Sequence, residues 1–259
     1  MTKDDYNIYQ CSKCGLAFTY PQPAALDEQY DGAYFDLYRQ RRSFRLRRGD
    51  ARLRGIELLR QPGSLLDIGC SLGYFIEAAN ARGWYGCGVE ISPQASQYAR
   101  ELGLEVETGD LLDVGYPAAS FDCVTMWDVL EHVPDPTAHM LEVNRILVDG
   151  GLVVIGTPNL GHFRFRMKPE NWRHLKPSEH VYYFTKSSIT QLLNKTGFEM
   201  VQRPILRARS FPGSIMTRLK CAFGRIIQLN DVMTVFGVKN AVKISSNRPQ
   251  QSQNNRDQG

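Results

Sequence analysis

From residue 65 to residue 206 short apolar runs alternate with amphipathic stretches, the rhythm of βαβ units and a mostly parallel sheet. Runs of apolar residues mark strands at LLDIG (65–69), YGCGVEI (85–91), LEVETG (104–109), FDCVTM (121–126) and GLVVIGT (151–157). Helices fill the gaps. Ser92 before Pro93, and Asp135 before Pro136, each pair a capping side chain with a position where a helix tolerates proline. Met140, Val143 and Leu147 stripe the second of these helices, which Gly150 ends. A helix over 187–195 stops at Gly197, FEMVQRPIL (198–206) reads as a sixth strand and NAVKIS (240–245) as a seventh. Ile215, Leu219, Ala222, Phe223 and Ile226 share a helical face, which predicts a helical insertion over 207–238 before the last strand. The fold class is α/β, a doubly wound, mostly parallel seven-stranded sheet.

Upstream, residues 33–60 read as helical and basic, with nine arginines between Arg39 and Arg60 opposed by Asp50 and Glu57. Leu46, Leu53, Ile56 and Leu59 are its candidate buried stripe. The chain thus divides into a Cys-x-x-Cys module (1–24), a basic helical lead-in (25–62), the α/β domain (63–245) and a polar tail expected to be disordered (246–259). At 259 residues, 42% apolar and net charge +4, the chain can build a sizeable core without staples. No window is apolar enough to span a membrane, and the polar start carries no secretion signal. Cys70, Cys87, Cys123 and Cys221 sit in apolar or mixed stretches, as buried thiols of a reducing compartment do, so a cytoplasmic location is expected.

In LLDIGCSLGYF the first strand runs into Gly69, small residues and Gly73, which allow a tight turn and close approach of a ligand at the carboxyl edge of the sheet. The pyrophosphate fingerprint G-x-G-x-x-G is absent, which argues against an NAD-dependent oxidoreductase. Glu90 closes the second strand, where a carboxylate suits ribose hydroxyls. An adenosine-type ligand without pyrophosphate fits both observations.

In order along the chain, LLDIGCSLG, GVEIS, TGDLLDV, FDCVTMWDVLEHVPDP and LVDGGLVVIGTPN resemble the motif series of class I S-adenosylmethionine-dependent methyltransferases, a Rossmann-like fold. The resemblance extends over about residues 30–245. It implies S-adenosylmethionine as cofactor, with Asp67 and Gly69 at its methionine end, Ser71 and Gly73 in the turn, Glu90 and Ile91 at the ribose, Asp110 and Leu111 at the adenine, and Trp127 beside them. Serine stands at 71 where the family usually has glycine. VLEHVPDP is closest to ubiquinone-type O-methyltransferases.

A hydroxyl acceptor must lose a proton. Asp128, Glu131 and His132 share a face if WDVLEHV makes a helical turn, which makes His132 the best-placed general base. The same trio is also a candidate divalent-cation site. After the fifth strand, a long aromatic and basic connection offers Trp172, His174, His180, Tyr182, Tyr183 and Phe184 as an acceptor wall, with Trp172, His180 and Tyr183 foremost. No N/D-P-P-Y/W/F tetrapeptide follows the fourth strand, which disfavours nucleobase or amide nitrogen as acceptor. A small molecule such as a sugar, phenol or quinone precursor, methylated on oxygen or carbon, is expected. A non-catalytic partner that only binds the cofactor is the alternative.

Cys11 and Cys14 make half of a four-ligand zinc knuckle, and similar methyltransferases carry a full ribbon there. The two cysteines are a candidate partial zinc site that a partner chain would have to complete; zinc held within one chain is not favoured, and two reduced thiols on a turn are the alternative. The arginine-rich helix lacks interleaved aromatic platforms, so no nucleic acid partner is expected. The helix over 214–228 is read as a lid or homodimer contact in preference to a membrane surface.

Overall fold

The computed structural model describes residues 1–23, 32–201 and 231–241. Three short strands open it: β1 (Thr2–Lys3), β2 (Tyr6–Gln10) and β3 (Ala17–Tyr20). Helices α1 (Gly32–Gln40) and α2 (Arg42–Ile56) follow, so the lead-in is two helices broken at Arg41. Then come β4 (Ser64–Ile68), α3 (Tyr74–Asn80), β5 (Tyr85–Glu90), α4 (Pro93–Glu101), β6 (Glu105–Thr108), α5 (Leu111–Val114), β7 (Phe121–Trp127), α6 (Pro136–Ile146) and β8 (Leu147–Pro158). A short α7 (Phe163–Met167), β9 (Tyr182–Tyr183), α8 (Lys186–Lys195), β10 (Phe198–Val201) and β11 (Val232–Lys239) complete it.

The main sheet runs β10-β11-β8-β7-β4-β5-β6, with β11 antiparallel to both neighbours and the other pairs parallel. Its central strands are apolar throughout because both faces are covered, and alternate residues separate the two cores. Leu66, Ile68, Val124, Met126, Val153 and Ile155 pack under α5, α6 and α8, while Leu65, Cys123, Leu152 and Val154 pack under α2 and α3. After β6 the chain returns to place β7 beside β4, so the carboxyl ends of β4, β5 and β7 open on a topological switch point, where such sheets bind ligands.

The caps read from sequence are in place. Ser92 Oγ accepts from the Ala95 amide at 3.3 Å, and Asp135 Oδ1 accepts from Thr137 and Ala138 at 2.9 and 3.0 Å. Several boundaries differ. Leu147 opens β8 opposite Phe121 and is not the end of α6. The seventh strand is β11, inside the stretch expected to be a helical insertion. Asn240 and Ala241, in the expected seventh strand, lie past its end. The rest of that segment, the insertion over 207–230, the tail and Cys221 lie outside the described residues. On α2 Leu53 and Ile56 are fully buried, but Leu59 is 39% exposed beyond the helix end.

The N-terminal module is part of the body. β3 pairs antiparallel with β9, and Ile8, Ala17, Leu160, Trp172, Leu175 and Tyr183 form a core of their own. Among the described residues no helix is long and apolar enough to cross a membrane.

Candidate functional site

One cavity of about 1220 Å³ opens at the carboxyl ends of β4, β5 and β7 and is roofed by α1 and α2. Its floor is the turn after β4. Gly69 holds φ +66°, and a Cβ there would lie 2.5 Å from Val129 Cγ2; Gly73 (φ +76°) would put one 2.5 Å from Leu104 Cδ1. Glycine is required at both. Ser71, between them, holds φ +52°, a left-handed conformation that serine adopts at a cost of about 1–2 kcal/mol.

Glu90 secures this turn from the neighbouring strand. Its Oε2 accepts from the Ser71 amide at 2.7 Å and its Oε1 from the Ser92 amide at 2.9 Å, leaving further lone pairs for a ligand. Burial raises its pKa against those amide bonds. Asp67, on β4, is buried beside it and accepts from Thr125 Oγ1 at 2.5 Å. Burial lifts Asp67 to about 7, opposed by the Thr125 bond and by Arg52.

At the far edge Asp110 caps α5, accepting from the Leu112 amide at 2.9 Å, and its other oxygen meets His139 Nε2 at 3.1 Å. That hydrogen bond holds Asp110 below the usual carboxylate range. Burial opposes protonation of His139, but its bonds to Asp110 and to the Asp135 carbonyl outweigh it. Leu111 is buried beside Asp110, and Ile91, about half exposed, borders the cavity. Trp127 lies against Phe75 with centroids 5.5 Å apart and carries the Arg52 guanidinium 3.8 Å above its ring.

The other half is built by the turn after β7 and the segment leading to β9. Asp128 holds φ +58°, so Asp128, Glu131 and His132 do not share a regular helical face. Glu131 turns inward, fully buried, accepting from Thr157 Oγ1 at 2.9 Å, and burial raises its carboxyl to about 8. Its backbone carbonyl accepts from the amides of Val181 and Tyr182, which locks the incoming segment to this turn. His132 Nδ1 lies 2.8 Å from the Glu179 carbonyl, which can only accept. The proton is therefore on Nδ1 and Nε2 is left as a base. Burial lowers the His132 pKa, partly offset by that bond. His180 packs edge-on at 4.8 Å, its pKa driven well down by burial, then by His132.

Sequence expectation and geometry divide clearly here. Asp67, Gly69, Ser71, Glu90, Ile91, Asp110, Leu111, Trp127, Asp128, Glu131, His132 and His180 all border the cavity. Gly73 acts from behind as the N-cap of α3. Trp172 and Tyr183 do not border it. Both are buried in the core shared with the N-terminal strands, so they build the acceptor segment's support and not its surface. Phe184 belongs to the main core, while His174 does reach the cavity. Within 4.8 Å of one another stand ligand atoms of Glu131, His132 and His180, so His180 takes the place expected for Asp128 in a cation-binding set. Cys11 and Cys14 are half-buried free thiols on a turn closed by the Gly15 amide and the Cys11 carbonyl at 2.9 Å. The Cys14 amide holds the Cys11 thiol below its usual pKa.

Sequence reasoning did not single out the individual arginines of the roof. Arg41, Arg45, Arg48 and Arg52 border the cavity, and their spacing of four, three and four residues was the available signal. His139 looks in sequence like an ordinary helix residue, although it is the partner of Asp110.

Two buried polar atoms of cavity-lining residues, Ser71 Oγ and Trp127 Nε1, have no hydrogen-bond partner among the described residues, as expected where a polar ligand completes the site. With Glu90 at the second strand and Asp110 at the third, the residues fit S-adenosylmethionine.

Similar proteins agree. A probable S-adenosylmethionine-dependent methyltransferase of Mycolicibacterium smegmatis is 30% identical over 138 residues, 52% of each chain. A ubiquinone biosynthesis O-methyltransferase of Cereibacter sphaeroides is 29% identical over 168 residues, 60% of this chain and 68% of that one. The chain thus spans about half the length of the first of these relatives. Among solved structures, a methyltransferase of Thermotoga maritima described as a possible histamine N-methyltransferase superposes with a TM-score of 0.58 at 20% identity, covering 83% of this chain and 98% of that one, which shows the shared fold. The profile of the methyltransferase-domain family matches residues 37–203, from the roof through the last α/β unit, and the chain belongs to that family, the class I S-adenosylmethionine-dependent methyltransferases.

Proposed function

We propose that the protein moves a methyl group from S-adenosylmethionine to a hydroxyl of a small molecule, with His132 as general base. The state of His132 carries this reading. Its Nδ1 is committed to the Glu179 carbonyl and its pKa is lowered, so an unprotonated Nε2 stands ready near neutral pH in the acceptor half of the cavity.

Bound over the β4 turn, the cofactor would supply an electrophilic methyl on a sulfonium. The protein's part is placement and proton handling. Asp67 answers the amino group, Glu90 the ribose and Asp110 the adenine. The Glu131 carbonyl and Glu179 hold His132 where the acceptor oxygen, on bonding to the methyl carbon, gives up its proton to Nε2. A small-molecule acceptor, and oxygen in preference to carbon, is supported by the ubiquinone-type relative.

A labelled-methyl screen against phenols, sugars and quinone precursors tests the reading, with S-adenosylhomocysteine titration as the binding control. Expected for His132→Ala is a loss of about 10²-fold or more in turnover with binding retained. Unchanged turnover would remove His132 from the chemistry, and wild-type protein that binds the cofactor but methylates nothing would favour a non-catalytic partner.

A second reading rests on the converging atoms of Glu131, His132 and His180. A divalent cation held there would lower the acceptor's pKa in place of the base. Turnover that vanishes on dialysis against EDTA and returns with Mg²⁺, Mn²⁺ or Zn²⁺ would decide for it.

A further inference from the structure

The roof of the cavity carries more positive charge than the proposed cofactor requires. Arg45, Arg48 and Arg52 succeed one another along one face of α2, Arg41 stands at its N-cap, and all four border the cavity. Of the neighbouring arginines that point elsewhere, Arg39 pairs with Asp36 at 2.8 Å, Arg54 with Asp50 at 2.8 Å and Arg42 with Glu77, while the exposed Arg47 has no carboxylate partner among the described residues. Among the described residues no carboxylate pairs with any of the four cavity arginines, and the Arg45 Nε is buried without an acceptor.

The acids of the cavity are otherwise engaged. Glu90 is held by two backbone amides, Asp110 by His139, and Glu179 pairs with Lys176 at 2.9 Å. Asp67 and Glu131 are buried and bonded to Thr125 and Thr157. Arg52, stacked on Trp127, feels Asp128 and Asp67. Arg41, Arg45 and Arg48 therefore face the cavity without a counter-charge among the described residues. The methionine end of S-adenosylmethionine brings one carboxylate, which one guanidinium can answer with two parallel bonds. Space agrees with charge, because about 1220 Å³ exceeds the roughly 300–1,000 Å³ usual for one small ligand.

We infer that the methyl acceptor carries a phosphate or diphosphate group that seats on Arg41, Arg45 and Arg48, leaving its hydroxyl end to reach His132. This rests on the methyltransferase reading above and adds the class of acceptor. Planar guanidinium forks suit phosphoryl oxygens, and three of them match an anion of two or more charges better than a carboxylate.

The test is calorimetric titration of sodium pyrophosphate into protein saturated with S-adenosylhomocysteine, for wild type, Arg48→Gln and Arg45→Lys. Anisotropy of a fluorescein-labelled single-stranded RNA runs in parallel. Expected are binding of pyrophosphate by wild type and a loss of tenfold or more in Arg48→Gln. A smaller loss is expected in Arg45→Lys, which keeps the charge, and S-adenosylhomocysteine affinity should stay within threefold throughout. Arg48 is exposed on the helix, so its replacement leaves the core intact. The inference is overturned if pyrophosphate gives no binding while S-adenosylhomocysteine binds, or if Arg48→Gln leaves pyrophosphate affinity unchanged. A parallel loss of S-adenosylhomocysteine affinity would assign the arginines to the cofactor. RNA bound more tightly than pyrophosphate, and lost in the same variant, would assign them to a polymer. Wild-type protein that does not bind S-adenosylhomocysteine at all refutes the methyltransferase reading itself, a separate result.

Discussion

Replacing Asp67 with asparagine separates what burial does to this carboxyl from what the ligand does. The side chain is 3% exposed and accepts from Thr125, and its pKa stands near 7 against 3.8 unperturbed. The folded protein therefore keeps a proton that the unfolded chain has lost, and the stabilisation is complete below pH 3.8 and declines as pH rises through 7. At about 1.4 kcal/mol for each tenfold change in proton affinity, the whole effect is roughly 4 kcal/mol, of which roughly 2.5 kcal/mol falls between pH 5 and pH 8. Asparagine keeps an acceptor for Thr125 and never ionises. Urea unfolding followed by circular dichroism at pH 5, 6.5 and 8, at constant ionic strength, should show wild type losing stability relative to Asp67→Asn by that amount. A gap between the two proteins that stays constant with pH would refute the reasoning. With Asp67 at the amino group as proposed, the ligand's ammonium would favour the ionised carboxylate, so S-adenosylhomocysteine affinity should climb from pH 6 to pH 8 in wild type and stay flat in the variant.

Gly69→Ala combines φ +66° with a contact of 2.5 Å to Val129, and should cost about 2 kcal/mol or more by thermal unfolding; adding Val129→Ala should recover only the steric share. The acid limb of the pH–rate profile should lie below pH 6.5, because burial lowers His132, and a limb above that value would point to another base. Trp172→Ala should lose about 3–5 kcal/mol of stability, as truncation of a large core aromatic does, whereas a loss under about 1 kcal/mol would return Trp172 to the cavity surface.

The residues that border the cavity at the ends of β4, β5 and β6 were legible because their pattern is local. Asp67, Glu90 and Asp110 stand at the ends of successive strands, and each strand announces itself by a run of apolar residues. The acceptor half is assembled over long distances. Trp172 and Tyr183 look in sequence like any loop aromatics, and what removes them from the cavity is contact with Ile8 and Ala17, 155 to 175 positions earlier. β11 escapes a sequence reading because it joins the sheet antiparallel, after a helix-like stretch, and no crossover rhythm marks its start. Leu147 continues the helical stripe of α6 in sequence, but its pairing with Phe121 across the sheet decides its conformation. The arginines of the roof showed their number and spacing, while which way they point depends on α2 packing against α3.

The pairing of β3 with β9 ties the start of the chain to its middle. The Thr19 amide donates to the Val181 carbonyl at 2.9 Å and its hydroxyl to the His180 carbonyl at 2.8 Å, so the opening hairpin grips the stretch that presents His180. Trimming those first twenty residues would leave the nucleoside cradle standing yet let the opposite wall drift. On the proposed reading the hairpin holds the acceptor wall in place, so exchanging it between related chains should shift relative turnover among acceptors while S-adenosylhomocysteine affinity stays the same.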